Sequence, residues 1–322
     1  MNELVRTLSS AAEAAQNRFL VGLVGAGIQA SASPLLHETE GDELGLRCLY
    51  QLIDLDELEL PPEAIGELLD QAHRLGFKGL NVTHPCKQLA LAHLDELSPT
   101  TRLLGATNTV VFANGQAIGH NTDCSGFSRS FTLGLPGVAL GRAVLLGAGG
   151  AGTAVGHAAL ELGVGELTVV DIEEERAARL ARALVARFGE GRALGVGTAT
   201  LEERLRGADG LIHATPMGMA SYPGMPLPPE LLRPEMWVAD IVYMPLETEL
   251  LRCARELGCQ TLDGGGMVVF QAAESFELFT RREPDRDRML RHFATLVEAA
   301  VDPSRAGESA ERSRALTKQT GG

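Results

Sequence analysis

Residues 79–88 read GLNVTHPCKQ, and the lysine near their end is unusual in this chain. Among 28 basic residues, only Lys78, Lys87 and Lys318 are lysines. Arginine meets the general need for positive charge, so a lysine in a short polar loop points to chemistry. An ε-ammonium tuned by burial and neighbours can hold or release a proton. A second stretch, LLGAGGAG at 145–152, carries G-x-G-x-x-G at Gly147, Gly149 and Gly152. It follows an apolar strand and opens a helix. In that context glycines let the backbone approach a pyrophosphate, and helix N–H groups stabilise its charge. Asp171 ends the next strand, nineteen residues beyond Gly152, where a carboxylate can accept from adenosine ribose hydroxyls.

Asp171 also bears on the choice of dinucleotide. The 2′-phosphate of NADP would meet Asp171 followed by Glu173, Glu174 and Glu175, so repulsion favours NAD. Arg176 can cap the adenine or offset that repulsion, which leaves NADP open. Metal and disulfide chemistry find little support. The five cysteines (Cys48, Cys86, Cys124, Cys253, Cys259) are odd in number and lack CxxC spacing. They read as reduced thiols of a cytoplasmic protein. No His/Asp/Glu cluster has metal-ligand spacing, so no metal is expected.

At 322 residues the chain has room for two domains, and 45% hydrophobic with 22% charged residues is the profile of a soluble globular protein. A formal charge of −14 argues against nucleic acid and against an anionic membrane surface. No apolar run reaches the ~18 residues of a membrane span, and the N-terminus lacks signal-peptide form. No macromolecular partner other than a second copy of the chain is expected.

Apolar strands alternating with amphipathic helices predict an α/β fold built on parallel sheets. Strands are expected at 19–25, 46–53 and 77–82, with a helix after Pro61-Pro62 and a hairpin around Asn114-Gly115. A second series has strands at 142–147, 166–171, 210–215, 237–243 and 259–263. One helix follows Gly152 and stops at Gly163, and the next presents Ala177, Leu180, Ala181, Leu184 and Phe188 on one face. The body divides near residue 124, with a cleft between the halves, and one or two helices close the chain to about 300. The tail 301–322, rich in Ser, Arg and Gly, is expected to be mobile.

Taken together, these segments resemble the shikimate dehydrogenase family and, within it, the NAD-using quinate/shikimate dehydrogenases. The similarity runs from about residue 19 to about 295 and is carried by separate motifs in order. They are GAGIQASASPLLH (25–37), GLNVTHPCK (79–87), GATNT (105–109), GHNTD (119–123) and LLGAGGAG (145–152). ATPMGM (214–219), DIVYMPLETELL (240–251) and DGGGMVVFQAAESFELFT (263–280) follow. The resemblance implies two domains. The first is an N-terminal parallel-sheet substrate domain over 1–123, completed by helices at 265–300. The second is a Rossmann NAD-binding domain over 124–264.

It further implies a ring-carboxylate substrate, quinate or shikimate, that loses hydride to the nicotinamide. Ser31 and Ser33 would hold its carboxylate, with Thr83 nearby. Asn81 and Asn108 would contact the ring or fix loops, and Tyr243 and Gln271 would line the site. Lys87 and Asp123 match the family's catalytic pair. Around the cofactor it places Gly147, Ala148, Gly149, Gly150, Ala151, Gly152, Asp171 and Arg176. To these it adds Thr215, Pro216, Met217, Met219, Ile241, Gly264 and Met267. The chain departs from many members at Gly27, where Pro is common, and at Ala30, where His is common. Some quinate-using relatives carry Thr where Ser33 stands, which leaves the ring acid open.

Oxidation of an alcohol removes a proton as well as a hydride, and a lysine beside the reacting hydroxyl can manage the former. Desolvation would lower the pKa of Lys87, whereas Asp123 would stabilise its ammonium. Lys87 therefore either shuttles the proton or stays charged and polarises the oxygen. His84, His120 and His213 are expected to be structural. A folate-linked dehydrogenase, a dehydrogenase of a related ring acid such as aminoshikimate, and a silent nucleotide sensor are the alternatives.

Overall fold

The computed structural model describes residues 17–301. The N-terminal half builds strands β1 (Arg18–Gly25), β2 (Arg47–Asp54), β3 (Gly79–Val82), β4 (Glu96–Leu97), β5 (Thr109–Ala113) and β6 (Gln116–His120). Its helices are α1 (Ser33–Glu43), α2 (Ile65–Arg74), α3 (Pro99–Leu104) and α4 (Asp123–Gly134). The second half has β7 (Arg142–Leu146), β8 (Glu166–Asp171), β9 (Ala193–Gly197), β10 (Gly210–His213), β11 (Trp237–Asp240) and β12 (Gln260–Leu262). Its helices are α5 (Gly150–Glu161), α6 (Glu174–Phe188), α7 (Leu201–Leu205) and α8 (Glu249–Leu257). Two helices end the described chain, α9 (Gly265–Thr280) and α10 (Arg286–Val301). The expected tail, from 302 on, lies outside the described residues.

Each half forms a six-stranded sheet, ordered β2-β1-β3-β5-β6-β4 and β12-β11-β10-β7-β8-β9. The second is parallel throughout and has the doubly wound dinucleotide-binding order. The first is mixed, which corrects the expectation of a parallel sheet: β5 runs antiparallel to both β3 and β6. The cause is local. Asn114 and Gly115, at φ 53° and 78°, make the two-residue turn that returns β5 onto β6. Strand β11 is also shorter than expected, because Val242 N–H leaves the ladder to bond Asp240 Oδ1 at 3.0 Å.

Two elements gave little sequence signal. β9 is half-exposed and glycine-rich, without alternation. α1 buries Ser33, His37, Glu40 and Gly41 beside a single Leu36, so no apolar stripe marks it. Its polar face is satisfied by distant groups. Glu40, fully buried, receives Arg288 Nε at 2.9 Å and Nη2 at 2.6 Å, together with the Asp285 amide at 2.8 Å.

That pair clamps α10 to α1, and α9 packs on the first sheet, where Gly79 leaves room for the Phe279 ring. The closing helices thus return to the N-terminal half. Glu40→Ala would strand the Arg288 guanidinium and the Asp285 amide. It is expected to cost about 3 kcal/mol, read as a lowered urea midpoint at unchanged slope. Among the described residues no helix is long and apolar enough to cross a membrane.

Candidate active site

Lys87 lies in the loop after β3, and Asp123 is the first residue of α4. Lys87 Nζ reaches Asp123 Oδ2 at 2.6 Å, with side chains 17% and 8% exposed. In so dry a setting the attraction is stronger than in water. The carboxylate is held from its other side: Asn108 Nδ2 donates to Asp123 Oδ1 at 2.9 Å. Asn108 Oδ1 in turn accepts the Thr122 amide at 2.8 Å, and Asn121 Oδ1 accepts the Asp123 amide at 3.1 Å. Asn108 is only 3% exposed and works as a positioning group. A Cβ added to Gly150 would sit 3.5 Å from Lys87 Cδ, so the glycine turn of the second half faces the lysine of the first.

The loop that carries Ser31 and leads into Ser33, the first residue of α1, is shaped by Asp54. Its carboxylate accepts the amides of Gly27 (2.9 Å), Ile28 (3.0 Å) and Asp56 (3.2 Å) and the Gln29 side chain (3.0 Å). Burial would raise its pKa, but these four donors outweigh burial and hold it below the usual carboxylate range. Ser31 Oγ accepts the Ser33 amide at 3.2 Å. Tyr243 of the second half packs against the same cluster as Ala32, beside Ser31, so residues of both halves meet here, and burial raises its phenol above the usual range. Gln271, on α9, packs its Cβ against Gly126 of α4. Thr83 is half-buried, with its methyl against Gly25.

Asn81 is more enclosed than an open substrate contact. Its Nδ2 donates to Asn108 O (3.3 Å) and Thr109 Oγ1 (3.0 Å), and its Oδ1 accepts from Tyr50 O–H at 2.8 Å. Tyr50 and His37 escaped the sequence reading. Burial raises the Tyr50 phenol above its usual range, opposed by the nearby Ser33 hydroxyl. His37 Nδ1 lies 2.9 Å from Ser33 O and its Nε2 lies 3.2 Å from Ser275 Oγ. Burial, opposed by the Ser33 bond, pushes its pKa down to about 4, so it is neutral at pH 7. Together they back Ser33 and Asn81 with a buried polar layer. The one available signal was Tyr50 on the inward face of β2, where a buried hydroxyl must find a partner. His84 is exposed, and His120 is half-buried, with its pKa lowered by burial and by Arg281.

At the other end, the residues fit a dinucleotide. Gly147 has φ 98°, and a Cβ on Gly152 would lie 2.0 Å from Gly147 O, so the turn requires glycine at both. Gly149 caps α5, and a Cβ there would meet nothing within 4 Å, which leaves an open cradle at the helix N-terminus. Ala148 is buried and Ala151 half-buried beside it. Asp171 is 8% exposed, and its oxygens accept the amides of Ala148 (2.8 Å) and Glu173 (2.9 Å). Arg176 is held by Glu173 at 2.5 Å.

Thr215 packs its methyl on Gly147, and Pro216, Met217 and Met219 are exposed at the rim. Ile241 O lies where a Cβ on Gly264 would fall, 2.4 Å away, so these two are brought together. Met267 does not join them in the open: it is 8% exposed and lies in the core. Ile172, 87% exposed next to Asp171, was not among the expected residues.

A glycine turn at a helix N-terminus, facing a buried lysine–carboxylate pair, fits a nicotinamide-dependent dehydrogenase. Comparison with known proteins gives the family. Residues 23–110 match the model of the shikimate dehydrogenase substrate binding domain. The shikimate dehydrogenase (NADP(+)) of Streptomyces avermitilis is 60% identical over 286 residues, covering 89% of this chain and 98% of the relative. The quinate/shikimate dehydrogenase (NAD(+)) of Corynebacterium glutamicum strain R is 46% identical over 278 residues, 86% of this chain and 98% of that one. The structure of quinate dehydrogenase from Corynebacterium glutamicum in complex with NAD superposes with a TM-score of 0.81 at 44% identity, over 87% of this chain and 100% of that one. The chain belongs to the shikimate dehydrogenase family.

Proposed function

We propose that the protein interconverts shikimate or quinate with the corresponding 3-keto acid, using NAD in preference to NADP, with Lys87 and Asp123 managing the proton. The observation that carries this reading is the 2.6 Å Lys87–Asp123 contact opposite the Gly150 turn. In this reading residues 1–123 and 265–300 hold the ring acid, and 124–264 hold the dinucleotide. The bound nicotinamide accepts or returns the hydride. Ser31, Ser33 and Thr83 offer hydroxyl donors to the ring carboxylate, and Tyr243 and Gln271 close the site around it. Lys87 Nζ takes the hydroxyl proton during oxidation and returns it during reduction. Asp123, itself oriented by Asn108, stabilises the ammonium. The five thiols, none in a disulfide, support a reducing cytoplasm.

The NAD preference rests on the ribose end. Asp171 places a carboxylate there, and Glu173 occupies the Arg176 guanidinium that a 2′-phosphate would need. The 60% identical relative named for NADP favours the other choice. Initial rates with quinate and shikimate, each with NAD and NADP, decide between them. Asp171→Asn keeps an oxygen for the Ala148 amide and removes the charge. It is expected to raise the NADP:NAD ratio of kcat/KM by about tenfold. A wild type that prefers NADP would overturn the preference while leaving the ring-acid reading intact.

A further inference from the structure

His213 ends β10, wholly buried beside Asp240 of β11, and neither touches the lysine–carboxylate pair. Its Nδ1 lies 2.9 Å from Asp240 Oδ1 and its Nε2 2.5 Å from Thr215 Oγ1. The donors and acceptors of this chain can be assigned in sequence. Thr248, which caps α8, accepts the Leu251 amide at 3.2 Å, so its hydrogen is free to go to Asp240 Oδ2 at 2.7 Å. Asp240 also accepts the Val242 amide at 3.0 Å, so both of its oxygens act as acceptors. Nδ1 therefore donates to Asp240. In the neutral imidazole Nε2 is then left to accept, and the partner on that side is the Thr215 hydroxyl. Thr215 Oγ1, its hydrogen committed, can only accept. It takes the Met217 amide at 3.3 Å and keeps one lone pair.

Thr215 is half-buried, and its methyl lies 3.0 Å from where a Cβ on Gly147 would be, at the carboxyl end of a central strand. Ligands of doubly wound sheets bind at those ends. We infer that His213, oriented by Asp240, is a positioning residue that makes Thr215 Oγ1 an acceptor for an N–H or O–H donor of the bound dinucleotide and fixes the 214–217 turn against the Gly147 turn. This rests on the reading of the site as a dinucleotide site. It gives a buried histidine that takes no part in the proton transfer a defined task at the cofactor.

The test is the affinity for NADH and NADPH, measured by calorimetry on wild type, His213→Asn, Thr215→Val and the double variant. Asn retains a donor toward Asp240 and loses reach to Thr215. Each single variant is expected to bind the preferred dinucleotide about tenfold more weakly, the loss of one hydrogen bond to a buried group. Because His213 acts through Thr215, the double variant should fall within about twofold of the weaker single one. Thr215→Ser should restore the affinity, and ring-acid KM should stay within about twofold. Multiplied losses in the double variant would overturn the inference. Should His213→Asn not fold, Thr215→Val decides alone, and wild-type affinity in that variant would overturn the inference. A wild type that binds neither dinucleotide would overturn the dinucleotide reading itself, a result visible before any variant is made.

Discussion

Lys87→Ala is expected to lower turnover by about 10²–10⁴-fold, the usual contribution of a positioned acid–base group. Dinucleotide affinity should stay within about threefold, because the lysine stem only borders the Gly150 turn. Lys87→Arg separates two roles. If positive charge alone served the reaction, arginine would retain activity. A guanidinium, however, does not release its proton near neutral pH, and it is planar and wide beside the Gly150 turn, where even an added Cβ would lie 3.5 Å from the lysine stem. Arginine is therefore expected to be as inactive as alanine in initial-rate assays, with the melting temperature preserved. Turnover near that of wild type would show that Lys87 polarises the ring oxygen without exchanging a proton.

Gly152→Ala is the second large effect. The added methyl would lie 2.0 Å from Gly147 O, a backbone atom that cannot swing aside, so the turn must open. The Ala148 amide, held by Asp171 at 2.8 Å, would be displaced with it. Dinucleotide affinity should fall by about 10- to 100-fold, with a lowered melting temperature, as measured by calorimetry and thermal unfolding. Gly149→Ala is the contrast. Its methyl meets nothing within 4 Å, so folding should be unaffected while the cradle is filled. Equal melting and equal affinity in both variants would mean that this turn does not receive the pyrophosphate.

What could be read along the chain was what depends on near neighbours. The glycines of LLGAGGAG declare a turn because strand, turn and helix are contiguous. Asn114-Gly115 likewise announced the hairpin, although the consequence for the sheet, an antiparallel β5 beside β3, needed the pairing of distant strands. Lys87 stands out by its rarity and by the short polar motif around it. His37 did not stand out, because its partner Ser275 is 238 residues away and the face of α1 around it is polar. Tyr50 meets Asn81 across the sheet, and His213 meets Asp240 between parallel strands. Such buried polar layers leave no periodicity, since each group is satisfied by a partner that sequence spacing cannot predict. Asp171 was visible as an acid at the right place, but its hold on the Ala148 and Glu173 amides was not.

In the proposed function the protein passes hydride between a ring alcohol and a nicotinamide. The most direct measurement is a single turnover of wild-type protein with quinate or shikimate deuterated at the reacting carbon, followed at the absorbance of the reduced nicotinamide. The expected result is a rise in that absorbance, slowed by deuterium, with the label recovered in the reduced dinucleotide and the ring ketone as product. Bound dinucleotide with no absorbance change from either ring acid would contradict it.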